Sequence, residues 1–217
     1  MNFLFSSIGQ KIQVAFSGLL LVLFLFFHLL NNLTLFYGEE TFNRMVMFLE
    51  SIKPLIRVME FGLLGILSIH TINALRLSFS NQKAKGPKYK YNAQADVSSL
   101  NSRTMAISGS VVLLFIIIHL SYIWYTYQTM HDHNYYHILI QNKLGFLGHI
   151  PTSIFYILSI ILLSFHLKHG FHSALKTFGI SRKDKLGILY HAAIFFWAII
   201  PFGFIIIIIA IQVGIII

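Results

Sequence analysis

Five apolar stretches, at roughly residues 14–36, 54–79, 103–127, 151–178 and 186–217, dominate this chain. Each reaches the ~20 mostly apolar residues that a helix needs to cross a bilayer. The segments between them are too short to fold alone. Of the 217 residues, 56% are hydrophobic and 11% charged, far from the usage of a soluble domain. The expected fold is therefore all-α, a polytopic bundle of five transmembrane helices forming one membrane domain over 1–217. The first run is too long for a signal-peptide core and has no small-residue cleavage pattern after it, so it reads as a retained helix.

The net charge of +9 sits in the connections. Arg76, Lys83, Lys85, Lys88, Lys90 and Arg103 flank or fill the link between helices two and three. Lys168, Lys176, Arg182, Lys183 and Lys185 do so between four and five. By the positive-inside rule, these two links and the N-terminus are expected in the cytoplasm. The alternation Lys88, Tyr89, Lys90, Tyr91 reads as an interfacial anchor, and no nucleic-acid partner is expected. Residues 1–13 are expected to lie at the cytoplasmic interface. The link after helix one, with Glu39, Glu40 and Glu50, has room for a short interfacial helix. His131, His133 and His137 read as a solvated loop, with a surface metal site as the lesser alternative. Helix five reads as a lipid-facing element that kinks near Pro201 and carries no chemistry.

Four histidines, His28, His70, His119 and His166, lie inside the first four apolar runs, and their surroundings repeat. Ser17-Gly18 precedes His28 by the offset at which Ser108-Gly109 precedes His119. Leu67-Ser68-Ile69-His70 is echoed by Leu163-Ser164-Phe165-His166. An ionisable side chain in hydrocarbon is costly and is by default a functional-site hypothesis. A rise of ~1.5 Å per residue puts His28 and His119 roughly 20 to 24 Å from the cytoplasmic ends, and His70 and His166 roughly 13 to 15 Å. The four thus pair by depth. Two imidazoles from opposite helices can fill both axial positions of a haem iron, whose apolar ring suits a bundle interior. The absence of cysteine excludes thiolate-held clusters, leaving histidine to hold any redox centre. Two stacked bis-histidine haems are expected. Gly18 and Gly109 leave room for a ring or a helix to approach closely.

Helix four also carries His169 and His172. His166 is preferred as ligand for its depth and its repeated setting, and the other two are left to haem propionates or interfacial water. Arg76, six residues after His70, is expected to pair with an inner propionate.

These residues resemble the cytochrome b membrane anchor of succinate dehydrogenases and fumarate reductases, in its single-subunit, five-helix, two-haem form. The resemblance covers essentially the whole chain. It is carried by Ser17-Gly18 and His28, Gly38-Glu39-Glu40-Thr41-Phe42-Asn43, His70 with Arg76, Ser108-Gly109 and His119, and His166 with Gly170 and Phe178-Gly179. It implies that His70 and His166 bind a proximal haem b near the soluble subunits, and that His28 and His119 bind a distal haem b. It implies a flavoprotein and an iron–sulfur subunit as partners on the cytoplasmic side of a bacterial inner membrane. It also implies a membrane quinone, menaquinone, as substrate, with Glu50 at the position of the carboxylate that exchanges protons with it. In one respect the chain departs from the family's fumarate reductases. Some of them carry a proton-returning glutamate where this chain has Ser164, so electron transfer across the membrane is expected to be electrogenic. The competing expectations are the di-haem anchor of another quinone-linked oxidoreductase and a haem-free proton-coupled transporter.

Overall fold

The computed structural model describes residues 3–84, 100–129, 134–180 and 186–217. The lysine–tyrosine link, His131, His133 and the cluster Arg182, Lys183 and Lys185 lie outside the described residues. The first long helix, α1 (Ser7–Leu33), starts where the Ser6 side chain accepts the Gly9 amide at 3.1 Å, capping the first turn. Residues 7–13, expected at the interface, are therefore the opening turns of α1. Only the 3-10 turn Phe3–Phe5 precedes them among the described residues. Its carbonyls are taken by Gln10, which reaches Phe5, and Gln13, which reaches Leu4.

After α1 and a 3-10 turn, α2 (Glu39–Ser51) forms the short helix for which the first link has room. Glu39 and Glu40 stand in its first turn, where a carboxylate meets the positive helix end. α3 (Lys53–Ala84) follows with Pro54 at its start, a residue that gives up only an amide with no intrahelical partner there. α4 (Leu100–His119) runs through a π-turn, Leu120–Trp124, into α5 (Tyr125–Thr129). Next come the short α6 (Tyr135–Ile140), the long α7 (Ile150–Thr177), α8 (Leu186–Ile194), a second π-turn at Phe195–Ile199, and α9 (Ile200–Gln212). Five helical stretches are long and apolar enough to span a membrane: Ser7–Tyr37, Lys53–Asn81, Met105–Thr129, Ile150–Thr177 and His191–Gln212. The protein is an all-α membrane helix bundle, and no strand occurs among the described residues.

Helix packing is what creates the site. α1 lies against α3, α7 and α9, and α4 lies against α7, but α3 and α4 barely approach each other. A gap remains between them. At one end it is covered by α2 and α6, which pack through buried Phe42, Val46, Tyr135 and Tyr136. The Tyr136 amide donates to Asn43 Oδ1 at 2.9 Å, and His137 Nε2 lies 3.2 Å from Glu39 Oε2. His137 is thus a partner of α2 rather than merely solvated. We call this the cap end.

Helix five exposes Ile199, Phe202, Ile206 and Ile209, as a lipid-facing element would, and packs its other face. Ile200, Ile207, Ile208, Ala210 and Ile211 are buried, and Gly203 lets α9 close on α1, since a Cβ there would stand 2.9 Å from Leu29 Cδ2. An isoleucine run apolar on every side gives no sign of which face is packed. The expected disturbance at Pro201 takes the form of the π-turn that ends just before it. Proline has no N–H to give the carbonyl four residues back. That carbonyl, of Trp197, accepts the Ser164 hydroxyl of α7 at 2.5 Å instead.

Candidate functional site

The gap between the α1/α3 and α4/α7 pairs is a cavity of about 2600 Å³ lined by His28, His70, His119 and His166. Pockets for one small molecule typically measure ~300–1,000 Å³, so the space suits two large ligands or one very large one. The histidines stand in two facing pairs. His28 of α1 and His119 of α4 have ring centroids 5.9 Å apart, and His70 of α3 and His166 of α7 have theirs 6.3 Å apart. These are the two pairs that the depth argument matches.

The rings of His70 and His166, named here the inner pair without reference to membrane side, each lie on a glycine of the neighbouring helix. A Cβ on Gly18 would stand 3.2 Å from His70 Cε1, and one on Gly109 would stand 3.3 Å from His166 Cε1. The Ser-Gly repeat therefore serves the inner histidines, which belong to the partner helices, and not the histidine three turns further along its own helix. His70 Nδ1 is held 3.2 Å from both the Val14 carbonyl and Ser17 Oγ. With that nitrogen as donor, Nε2 is left as the lone-pair nitrogen. Beside this contact, Asn73 Nδ2 donates to Gln13 Oε1 at 3.0 Å and ties α3 to α1. The serines of the other repeat do different work. Ser68 is exposed and donates to the Leu64 carbonyl in its own helix, while Ser164 serves Trp197.

The other pair, His28 and His119, named the outer pair, sits among aromatic rings. Phe24 stacks on His28 at 5.4 Å, Phe204 of α9 lies 5.6 Å from it, and Phe115 and Tyr156 flank His119 at 5.8 and 5.9 Å. The Nδ1 atoms of His119 and His166 and the hydroxyl of Tyr156 are buried and find no hydrogen-bond partner among the described residues. Such atoms are costly in an apolar interior. They mark places where a ligand or a small ring movement completes the bonding.

What these pairs can hold follows from their number. Among the described residues, no three histidine, aspartate or glutamate side chains gather as a metal cage. A bare zinc or iron would find two protein nitrogens where it needs about four. A macrocycle that brings its own four equatorial donors needs only two axial ones. With an iron–nitrogen bond of roughly 2 Å on each side and each centroid a further ~1 Å behind its nitrogen, the axial rings stand on the order of 6 Å apart. Both observed separations fit. Gly18 lies opposite His70, and His28 follows ten residues on, so the two sites are separated by roughly 15 Å along α1. That exceeds the difference between the depths of roughly 20 to 24 Å and roughly 13 to 15 Å counted on single spans.

At the cap end, Glu50 and Glu60 both line the cavity. Glu50, at the end of α2, has Oε1 3.6 Å from Lys53 Nζ. Glu60 was not singled out from the sequence. It stands ten residues before His70, level with His28 by the same helical rise, and accepts Arg57 Nη1 at 2.6 Å and Trp124 Nε1 at 2.9 Å. Arg57 also bonds Gln128 and lies over the Trp124 ring at 5.8 Å, so this cluster closes α3 onto the α4–α5 helix. A carboxylate three residues after an arginine within an apolar run was the signal available.

At the opposite end, Lys11, His169 and Lys176 line the cavity, whereas Arg76 is exposed and absent from its lining. Six residues at ~100° each place Arg76 roughly 120° around α3 from His70. Expected beside an inner propionate, Arg76 does not face the site, and Lys11 and Lys176 do. His172 is exposed. Comparison of the chain with family models, curated proteins and solved structures gives no match.

Proposed function

We propose that this chain is the membrane-anchor cytochrome b subunit of a succinate:quinone oxidoreductase, holding two haems b. It passes electrons between an iron–sulfur subunit and membrane quinone. The observation that carries the reading is the pair of facing histidine couples, 5.9 and 6.3 Å apart, in the wall of one apolar cavity. His70 and His166 would hold the proximal haem, and His28 and His119 the distal one. Bound there, the haems would supply one-electron transfer across the bundle. The chain's own residues exclude water with Phe24, Phe115 and Phe204 around the outer pair. They offer Lys11 and Lys176 to acidic groups at one end, and at the cap end place Glu50 to exchange protons with a quinone, menaquinone by the resemblance. The same reading sets the chain in a bacterial inner membrane with a flavoprotein and the iron–sulfur subunit on the cytoplasmic side, where the N-terminus also lies.

The test is a reduced-minus-oxidised spectrum with haem quantification on the complex purified from its membrane. Two haems b per chain, together with a co-purifying flavoprotein, are expected. One haem or none overturns the paired-ligand reading, and a nickel or molybdenum partner subunit transfers the chain to another class of quinone-linked anchor.

A further inference from the structure

We propose that Ser17 and Ser108 are matched positioning residues for the inner histidine pair. With the carbonyls of Val14 and Met105, they receive the Nδ1–H of His70 and of His166, turning both Nε2 atoms to the ligand between them. The inference rests on reading His70 and His166 as axial ligands and assigns a role to residues outside that ligand set.

Both serines are buried, each 4% exposed, on helices that otherwise bury apolar side chains at this depth. In the first half of the bundle the arrangement is complete. Ser17 Oγ donates to the Gln13 carbonyl at 2.6 Å, so its lone pairs are free to accept, and it stands 3.2 Å from His70 Nδ1. The Val14 carbonyl shares that nitrogen at 3.2 Å. In the second half the serine and its carbonyl recur. Ser108 Oγ lies 3.1 Å from the Met105 carbonyl, three residues back, as Ser17 lies 3.2 Å from that of Val14.

The two rings sit on their glycines alike. From an ideal Cβ, Cε1 and Nδ1 lie at 3.2 and 3.5 Å for Gly18 with His70, and at 3.3 and 3.6 Å for Gly109 with His166. Yet His166 Nδ1 is buried without a partner among the described residues. Having the same seat, it has the same receivers within a small ring rotation. A ligand drawing Nε2 toward the cavity supplies the reason to make that rotation.

The chemistry requires such receivers. A neutral imidazole carries one N–H, and an acceptor at Nδ1 fixes that proton there, leaving Nε2 as the ligating atom and making it more basic. Alanine would fill the same space but leave the backbone carbonyl as the one receiver. Losing an outer partner of this kind typically costs ~10- to 100-fold in metal affinity.

The experiment compares the wild-type complex, purified with its partner subunits, with Ser17→Ala, Ser108→Ala and the double variant. Ser68→Ala, an exposed serine of α3 two residues before His70, is the control. The double variant is expected to lose inner haem ~10- to 100-fold more readily. Its ferric inner-haem paramagnetic resonance signal should shift and its midpoint potential should rise, because a less basic ligand favours the ferric state less. The single variants should give smaller shifts in the same sense, and the outer haem and the control should be unchanged. Should the double variant fail to assemble, the singles decide by the same two readouts. Inner-haem signal and potential identical to wild type in variants that retain haem overturn the positioning role alone. A wild-type complex with no haem at the inner pair overturns the ligand reading as well.

Discussion

Gly18 and Gly109 set how near the inner rings can stand to the neighbouring helices. A methyl group at either position would lie 3.2 or 3.3 Å from an imidazole carbon, tighter than ordinary contact, and the ring behind it is tethered by its own helix. On the proposed function, Gly18→Ala and Gly109→Ala are therefore expected to lose or weaken the haem between His70 and His166 and keep the other, measured as haem content and as two resolved redox transitions. Gly62 and Gly65 of α3 have nothing within 4 Å of an added Cβ, so alanine there should be neutral or stabilise α3 by up to ~1 kcal/mol. The cationic residues make a second comparison. If the proposed haem is held by His70 and His166, Lys176→Ala should shift its midpoint potential while Arg76→Ala does not, because Lys176 lines the cavity and Arg76 is exposed on another face of α3. The four histidines were legible in the sequence because a polar residue in an apolar run is conspicuous and because their settings repeat. Lys11, Lys176 and Glu60 were not, because facing depends on how helices cross, and a charge near a span end looks the same whether it faces lipid headgroups or a cavity.

At the scale of the helix, the two π-turns show how local chemistry is repaired at a distance. The turn at Phe195–Ile199 precedes Pro201, and the carbonyl that proline cannot satisfy is taken by the Ser164 hydroxyl of α7. Ser164→Ala removes that bond, and an interhelical bond of this kind is worth ~0.6–2 kcal/mol. Lower thermal stability of the complex than with Ser68→Ala, whose hydroxyl bonds only its own helix, is the expected outcome. Equal stability of the two would show that the Trp197 carbonyl is satisfied in some other way. Ser164 stands at the position where some fumarate reductases of the resembled family carry a proton-returning glutamate. Its hydroxyl is committed to α9's preceding turn, in keeping with a structural duty there. The other π-turn follows His119 directly and carries Trp124 to Glu60 of α3. A break at Pro201 could be expected from proline alone, whereas nothing in the Leu120–Trp124 sequence announces a π-turn, since its residues are ordinary for an apolar helix.

Across the whole molecule, the five spans were readable from length and hydropathy, but their neighbours were not. Helices apolar on most sides meet lipid and protein with similar energy, so the pattern that orients a soluble helix is missing. The sidedness of the bundle is open to direct measurement because the chain has no cysteine. With a cysteine at Lys88, an impermeant thiol reagent should label only from the cytoplasmic face, and with one at Glu40 only from the opposite face; the reverse pattern would invert the orientation given by the charged links. That orientation puts the cap end outside, and with it the two carboxylates of the cavity wall, which differ in what they can do. Glu60 is bonded by Arg57 and Trp124 and holds α3 to the α4–α5 helix, so Glu60→Gln should chiefly loosen that closure. Glu50 stands at the end of α2 with Lys53 at 3.6 Å and lines the cavity, where the proposed function has it exchange protons with a quinone. Glu50→Gln keeps the size of the side chain and most of its hydrogen bonding but cannot ionise. On the proposed function, haem content, both redox transitions and succinate oxidation with an artificial acceptor should persist in that variant, while quinone-linked turnover falls by the ~10²- to 10⁴-fold typical of a lost general acid or base. Unchanged quinone turnover with both haems in place would remove Glu50 from the reaction and leave it as a partner of Lys53 at the start of α3.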